Sequence, residues 1–251
     1  MTPAYFAKVR PTYIENWSGG LCRLSIPQDA VPLSLDEARA FGLRNRKFGR
    51  WFGQGSTPPV DRVVEKLNIV LRNYPDGAFV RLGSRSAKDS SYARHYGLKV
   101  TCAEAAVRML TDDSERIVFD LRLALRHNYS PHIFVRQWLE IPAWSEFRCF
   151  MKGRRLVGIS QYDCKNLGHC PRIAECSGQI REGIELFFDK IREASHLDDL
   201  VFDVLVDLNE RNSGLAVDVK LLELNPFFER TDACLFSWHN GGDFDGSFRF
   251  L

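Results

Sequence analysis

The residues best placed to do chemistry lie near the end of the chain. Glu223 and Asn225 are two apart at the end of an apolar run over residues 216–224, so on a strand they project the same way. The polar turn over residues 209–214 folds a second apolar run, 200–208, back beside them and brings Asp203 close. Two carboxylates and an amide oxygen gathered on apolar strands are costly to bury without a cation. A hard divalent ion such as Mg²⁺ accepts all-oxygen ligands and leaves positions open for phosphate oxygens. Acids capping a sheet edge in solvent are the other reading that this spacing leaves open.

Two further groups carry charge in suggestive places. Arg81 lies in a short strand pattern over residues 78–82, followed by small side chains and two cations over residues 83–89. Small residues let backbone N–H groups approach an anion, and Arg81, Arg85 and Lys88 supply charge for phosphate oxygens. The spacing GxxxxGK[ST] is absent, and a surface turn is the plainer alternative. Arg148 shares a strand face with Glu146 and Phe150, and a charge within so apolar a run needs a partner or a ligand. A structural ion pair would satisfy it. Cys164, His169, Cys170 and Cys176 lack the short knuckle of structural zinc sites, so free loop thiols are expected there. No GxSxG motif occurs and the six histidines stand in unrelated contexts, which gives nucleophilic catalysis no support.

Elements to hold these residues can be read from patterning. Ser34 and Glu37 form a capping box that opens a helix to about residue 46, within an otherwise irregular, Pro- and Gly-rich first 60 residues. Pro58-Pro59 opens a helix with Val60, Val63, Val64, Leu67, Val70 and Leu71 on one face. Thr101 and Glu104 give a second capping box for a helix through Leu110, and an amphipathic helix covers residues 114–126. Strands are expected at 133–139, 146–151 and 156–161, the last two joined by a hairpin at Lys152-Gly153-Arg154-Arg155. A helix bearing Ile180, Ile184, Phe187, Phe188 and Ile191 follows. This order describes an α+β chain, not a regular βαβ sheet.

The 251 residues are 45% hydrophobic and 26% charged, which excludes wholesale disorder and gives room for one large domain or two subdomains around a cleft. A net charge of +2 gives no gross electrostatic case for a nucleic-acid or membrane coat. Five basic residues and no acid fall within residues 39–50, before Trp51-Phe52. A solvated helix face with an aromatic anchor in the core accounts for them. No apolar run of about 18 residues occurs, and residues 1–13 lack the stretch of a signal peptide, so a soluble, cytoplasmic protein is expected. Seven cysteines, with Cys149 inside a strand pattern, fit a reducing compartment.

Several segments carry a resemblance when taken in order. They are Phe79-Val80-Arg81-Leu82 with Ser86-Ala87-Lys88-Asp89, Glu146-Phe147-Arg148-Cys149-Phe150 with Gly158-Ile159-Ser160-Gln161-Tyr162-Asp163, Val201-Phe202-Asp203, and Leu222-Glu223-Leu224-Asn225-Pro226-Phe227 with Thr231-Asp232. Over about residues 60–240 they resemble the ATP-grasp superfamily, and within it the cell-division-cycle-123 family. The resemblance implies an α+β ATP-grasp fold of two subdomains, residues 1–135 with an irregular N-terminal extension and residues 136–251 with the metal site, gripping Mg·ATP in a cleft. It implies ATP contacts from Arg81, Ser86, Lys88, Asp89, Arg136, Gln137, Trp138, Leu139, Arg148, Gln161 and Asp163. Gln137 to Leu139 would meet adenine through backbone groups, and Asp203, Glu223 and Asn225 would bind Mg²⁺. The chain departs from the eukaryotic pattern at Gly83-Ser84-Arg85 and Ala87, and has Glu223-Leu224-Asn225 for Asp-Phe-Asn. With 25 arginines and nine lysines, it is expected to be a bacterial or phage relative.

Two functions follow from the resemblance. The preferred one is an ATP-dependent ligase that activates a carboxylate as an acyl phosphate for attack by an amine or thiol, with Arg148 and Lys88 as its catalytic cations. The alternative is a non-catalytic ATP-binding assembly factor, as eukaryotic members bind the gamma subunit of translation initiation factor two. Residues 39–52 or the aromatic tail 235–250 would then dock the partner. In both, ATP and Mg²⁺ bind together with an unnamed acceptor substrate or protein partner, and neither membrane nor nucleic acid is expected. Removing Asp203 or Glu223 is expected to abolish Mg-dependent ATP binding with the fold intact.

Overall fold

A computed structural model of the chain describes residues 3–55, 59–211 and 214–251. In chain order its main elements are α1 (Pro3–Val9), α2 (Gly19–Leu24), β1 (Gln28–Pro32), α3 (Leu35–Arg44), α4 (Pro59–Leu71), β2 (Ala78–Leu82), α5 (Ser91–Tyr96), β3 (Lys99–Val100), α6 (Ala103–Thr111) and α7 (Glu115–Arg126). These are followed by β4 (His132–Gln137), β5 (Glu146–Lys152), β6 (Arg155–Gln161), α8 (Pro171–Glu175), α9 (Ser177–Ala194), β7 (Leu200–Arg211), β8 (Gly214–Asn225) and β9 (Phe248–Arg249). The elements form two compact units. One comprises the described residues up to Glu15 with Pro27–Leu139, the other Asn16–Ile26 with Glu140–Leu251. Each unit has its own sheet, so the α+β class expected from the element order is the class observed. Among the described residues no helix is long and apolar enough to cross a membrane.

The sheet of the first unit has the order β1-β4-β2-β3, antiparallel throughout. Strand alternation sends Val80, Leu82, Ile133 and Val135 to the face that packs with Val63 and Leu67 of α4, Ala106 and Leu110 of α6, and Ile117 and Leu121 of α7. Burying each such Val, Leu or Ile side chain contributes about 1.5–3 kcal/mol. The opposite face carries Phe79 and Arg81 on β2 beside Arg136 and Phe134 on β4, each a direct cross-strand pair. The first 60 residues, expected to be irregular apart from one helix, hold α1, α2 and β1 as well. Strand β1 contains Asp29 and ends in Pro32, a poor strand composition, and forms because its backbone pairs along β4. Of the expected Pro58-Pro59 start, Pro58 lies outside the described residues and α4 runs from Pro59. The second capping box does not form: Cys102 is the N-cap of α6 and its side chain makes no cap bond. Strand β4 stops at Gln137, two residues before the expected end.

The second unit has the order β8-β7-β5-β6-β9, with β9 parallel to β6 and the other neighbours antiparallel. The β5–β6 hairpin closes on Gly153-Arg154 at φ of 54° and 58°, the two-residue turn whose twist matches the strands. Helix α9 buries Ile180, Ile184, Phe187, Phe188 and Ile191, with the Phe188 ring 6.2 Å from that of Phe202. Strands β7 and β8 extend beyond the expected ends, and Asn212 and Ser213 of the expected turn lie outside the described residues. Their register shifts between Asp203 and Val204, where Asp203 pairs with Glu223 and Val204 with Leu221, leaving Leu222 as the extra residue of a bulge.

The Ser34 box does form, and it does more than start α3. The Ser34 N–H donates to Glu37 Oε2 at 2.8 Å, the Glu37 N–H donates to Ser34 Oγ, and Lys66 Nζ of α4 reaches both Glu37 oxygens at 2.9 Å. Burial pushes the Glu37 carboxyl up, but the Lys66 ammonium and the Ser34 donors outweigh it and hold its pKa below the ordinary value of 4.5. A depressed carboxyl stabilises the fold above its unfolded pKa and loses that contribution as pH falls through the folded one. Glu37→Gln is therefore expected to cost about 1 kcal/mol at neutral pH, and urea titrations should show the gap from the unsubstituted chain closing only as pH falls below 4.5.

Candidate functional site

In the second unit, register alone assembles a polar row. Ser160 of β6, Arg148 of β5, Asp203 of β7 and Glu223 of β8 are successive cross-strand partners, so they share one face. Asn225 stands two residues on from Glu223, opposite Val201. Arg148 donates from Nε to Asp203 Oδ1 at 2.7 Å and from Nη2 to Asp203 Oδ2 at 2.8 Å, the paired fork that a guanidinium makes with a carboxylate. Its Nη1 donates to the Asp232 carbonyl at 2.9 Å. Arg148 is 5% exposed and Asp203 0%. Burial works to lower the Arg148 pKa, but the Asp203 charge and hydrogen bonds outweigh it and hold the guanidinium well above its ordinary value. Of the two readings for Arg148, the structure has the ion pair.

The chain after β8 folds over this row. The Leu235 N–H donates to Ser160 Oγ at 3.2 Å, and Lys165 Nζ pairs with Asp232 Oδ2 at 2.9 Å. The Phe236 ring lies so close to Gly158 that a Cβ there would sit 2.6 Å from it, which is why the strand carries glycine. Tyr162 stacks 4.8 Å from the Arg148 guanidinium, and burial, then the Asp203 charge, push its pKa up. All seven cysteines are free thiols, and burial raises Cys234, beside the row, to about 12.

Donor chemistry decides whether this row suits a cation. Among the described residues no three His, Cys, Asp or Glu side chains gather as a metal group. Asp203, Glu223 and Asn225 bring two carboxylates and an amide. The Arg148 charge offsets that of Asp203, Glu223 leaves the row net negative, and Asp203 retains lone pairs beyond those bonded to Arg148. Glu223 and Asn225 are half-buried. Asn225 Nδ2 points toward Asp203 Oδ2 at 3.4 Å, so a Mg²⁺ ion requires that amide to turn its oxygen inward. With that turn, the residues fit a hard cation.

In the first unit, Arg81 and Arg136 are 4% and 3% exposed on the sheet face opposite the core. Arg81 Nε donates to the Leu82 carbonyl, and an Arg81–Ser86 bridge shapes the loop that follows β2. Lys88 is exposed on that loop. Arg85, counted above as a phosphate cation, instead meets Asp120 Oδ2 at 3.2 Å and Tyr5 Oη at 3.2 Å and lies over the Phe119 ring. The space beside Gly83 is filled by the Glu15 carboxylate, which leaves no room for a Cβ there. Burial raises the pKa of both Glu15 and Asp120. The loop therefore wraps the chain's own acids.

Other expected contacts have structural duties. Asp89 accepts from Ser114 Oγ at 2.6 Å and from the Glu115 and Arg116 N–H groups, capping the positive end of α7. Gln161 lies on the face of β6 opposite Ser160 and is 0% exposed; it donates to the Gly168 carbonyl and accepts from the Leu251 N–H. Asp163 accepts from Asn166 Nδ2. Gln137, Trp138 and Leu139 lie at the end of β4, Gln137 exposed and the other two half-buried. Sequence reasoning missed Glu15 and Asp120, and quoted Tyr162 only as part of a motif, without a role. The signal for Asp120 was an ionisable group between Phe119 and Leu121.

The Arg148–Asp203 geometry corrects one expectation. Asp203→Ala strands a buried guanidinium and should cost about 3–5 kcal/mol of stability, whereas Glu223→Ala at a half-buried edge position should cost no more than about 1 kcal/mol. Urea unfolding of the two variants checks this, and equal losses would show that the pair is not the buried anchor described.

Comparison with known proteins gives the context. The solved structure of Cdc123 from Schizosaccharomyces pombe has a TM-score of 0.71 at 21% identity, over 92% of this chain and 90% of that one. A C-terminally truncated form of it gives 0.73. At that identity the likeness concerns the fold. The "Translation initiation factor eIF2 assembly protein" of Xenopus tropicalis is 35% identical over 112 residues, covering 44% of this chain and 31% of the relative. The Candida albicans protein of that name is 24% identical, covering 70% and 52%. The chain thus spans about a third to a half of the length of these relatives. Their sources are eukaryotic, so the expectation of a bacterial or phage relative gains no support from them. Residues 53–241 match the family model described as D123, and since that span is well over half of the sequence, the chain belongs to the D123 family.

Proposed function

We propose that this chain is a nucleotide-binding assembly factor that acts in the cytoplasm on translation initiation factor eIF2; the assembly role is the one for which its relatives are named. The ligase expectation is overturned by those names, which are of assembly proteins and not of ligases. With it fall the catalytic roles given to Arg148 and Lys88. The observation that carries the reading is the engagement of Arg148: its Nε, Nη1 and Nη2 all hold Asp203 or Asp232, so it braces the row instead of reaching toward a reacting group.

Each unit by itself offers groups suited to part of a nucleotide. Arg81, Ser86, Lys88 and Arg136 offer cations and a hydroxyl for phosphate oxygens in the first, with Gln137, Trp138 and Leu139 beyond Arg136. Asp203, Glu223 and Asn225 offer oxygen ligands for Mg²⁺ in the second, and that ion would supply positive charge to phosphate oxygens when bound. The ATP-grasp kinship of these groups rests on the resemblance of the motifs.

Calorimetric titration with ATP, with and without Mg²⁺, followed by product analysis in the presence of purified eIF2, tests the reading. Expected are Mg-enhanced ATP binding, retention of an eIF2 subunit on the immobilised chain, and no sustained ADP release. Glu223→Ala is expected to lower Mg-dependent ATP affinity about tenfold, or 1.4 kcal/mol. Sustained ADP formation coupled to an acceptor, or failure to retain any eIF2 subunit, would contradict it.

A further inference from the structure

The basic run at residues 39–50 is solvated, as expected: Arg39, Arg44, Arg46, Lys47 and Arg50 are all exposed. Phe52, 5% exposed within the core cluster of the first unit, is the anchor that fixes this segment to α3. Trp51 beside it is not buried. It is 39% exposed, among the large apolar side chains left on the surface, and it is held rigid by Phe48 at 4.6 Å and by the Arg122 guanidinium over its ring at 4.8 Å. The run precedes residue 53, where the match to the D123 model begins.

A half-exposed tryptophan with an arginine over its ring, in a segment of exposed cations, is the composition of a protein-interface anchor. We infer that the surface formed by Arg44, Lys47, Arg50, Trp51 and Arg122 docks an acidic segment of a protein partner. Charge complementarity selects that occupant, since Arg44, Lys47 and Arg50 are exposed cations in a run without an acid, and the neighbouring Arg46 shows the pairing, its Nε meeting Asp112 Oδ1 at 2.9 Å while its side chain is 73% exposed. RNA fits less well, because the Trp51 ring is already covered by Arg122 and flanked by Phe48, where a base would need an open face to stack on. A membrane fits less well, because one capped indole offers little apolar area to insert. The surface lies wholly in the first unit and stands independently of the nucleotide reading, and it gives a chemistry to residues 39–52, one of the two segments expected to dock a partner.

The test uses the full chain and a fluorescein-labelled oligoglutamate peptide carrying a single leucine, followed by anisotropy. The expected result is saturable binding that weakens with salt and falls about tenfold in the variant R44E/K47E/R50E. Trp51→Ala is expected to weaken binding several-fold with the circular dichroism spectrum unchanged. Undiminished binding by the charge-reversed variant would overturn the proposal. So would tighter binding of oligouridylate, or of phosphatidylserine vesicles, than of the peptide at the same ionic strength.

Discussion

Two short hydrogen bonds join Arg148 to Asp203 on adjacent strands of the second sheet, and most of the candidate site hangs on them. They lock the facing positions of β5 and β7. They neutralise a carboxylate with no exposure to water, and they leave Nη1 to hold the segment after β8 through the Asp232 carbonyl. Such a pair is seldom the most stable filling for its space, because desolvating two charges costs several kcal/mol that only excellent geometry offsets. The flanking Cys149, Phe150, Phe202 and Val204 show that apolar side chains were available to this part of the sheet. A charged pair among them is better explained by what stands next in the row.

That neighbour is Glu223, whose charge Arg148 does not cancel. The bulge at Leu222 matters here, because it lets Leu221, Leu222 and Leu224 bury while Glu223 stays opposite Asp203 at the half-exposed edge. The guanidinium that braces the row from behind offsets the charge of Asp203 and so keeps the two acids from repelling each other apart. The first unit, taken by itself, carries Arg81 and Arg136 on the face of its sheet opposite the core. There Arg85 and the space beside Gly83 are committed to Asp120 and Glu15, so the loop after β2 is held by the chain's own acids.

What was legible in the sequence follows from how local each cause is. The Ser34–Glu37 box, the Gly153-Arg154 hairpin and the apolar face of α9 depend on residues a few positions apart, and all are present. The Asp203–Glu223 pairing was legible because one turn connects the two strands. The partner of Arg148 was not, because β5 and β7 are brought side by side across one strand and two helices, β6, α8 and α9, and nothing local encodes that register. Asp89 was assigned to the nucleotide by the resemblance of its loop, and in the structure it bonds Ser114 at the start of α7, 25 residues away. Strand β1 was illegible for the same reason: its composition is poor and its partner is distant.

The central claim is that Arg148 and Asp203 act as one unit that holds the row. A double-mutant cycle with Arg148→Met and Asp203→Leu, followed by urea unfolding, measures this directly. Each single variant is predicted to lose about 3–5 kcal/mol, and the double variant to lose far less than the sum, because removing both charges leaves none stranded. Additive losses would mean that the two side chains are stabilised separately and would contradict the account.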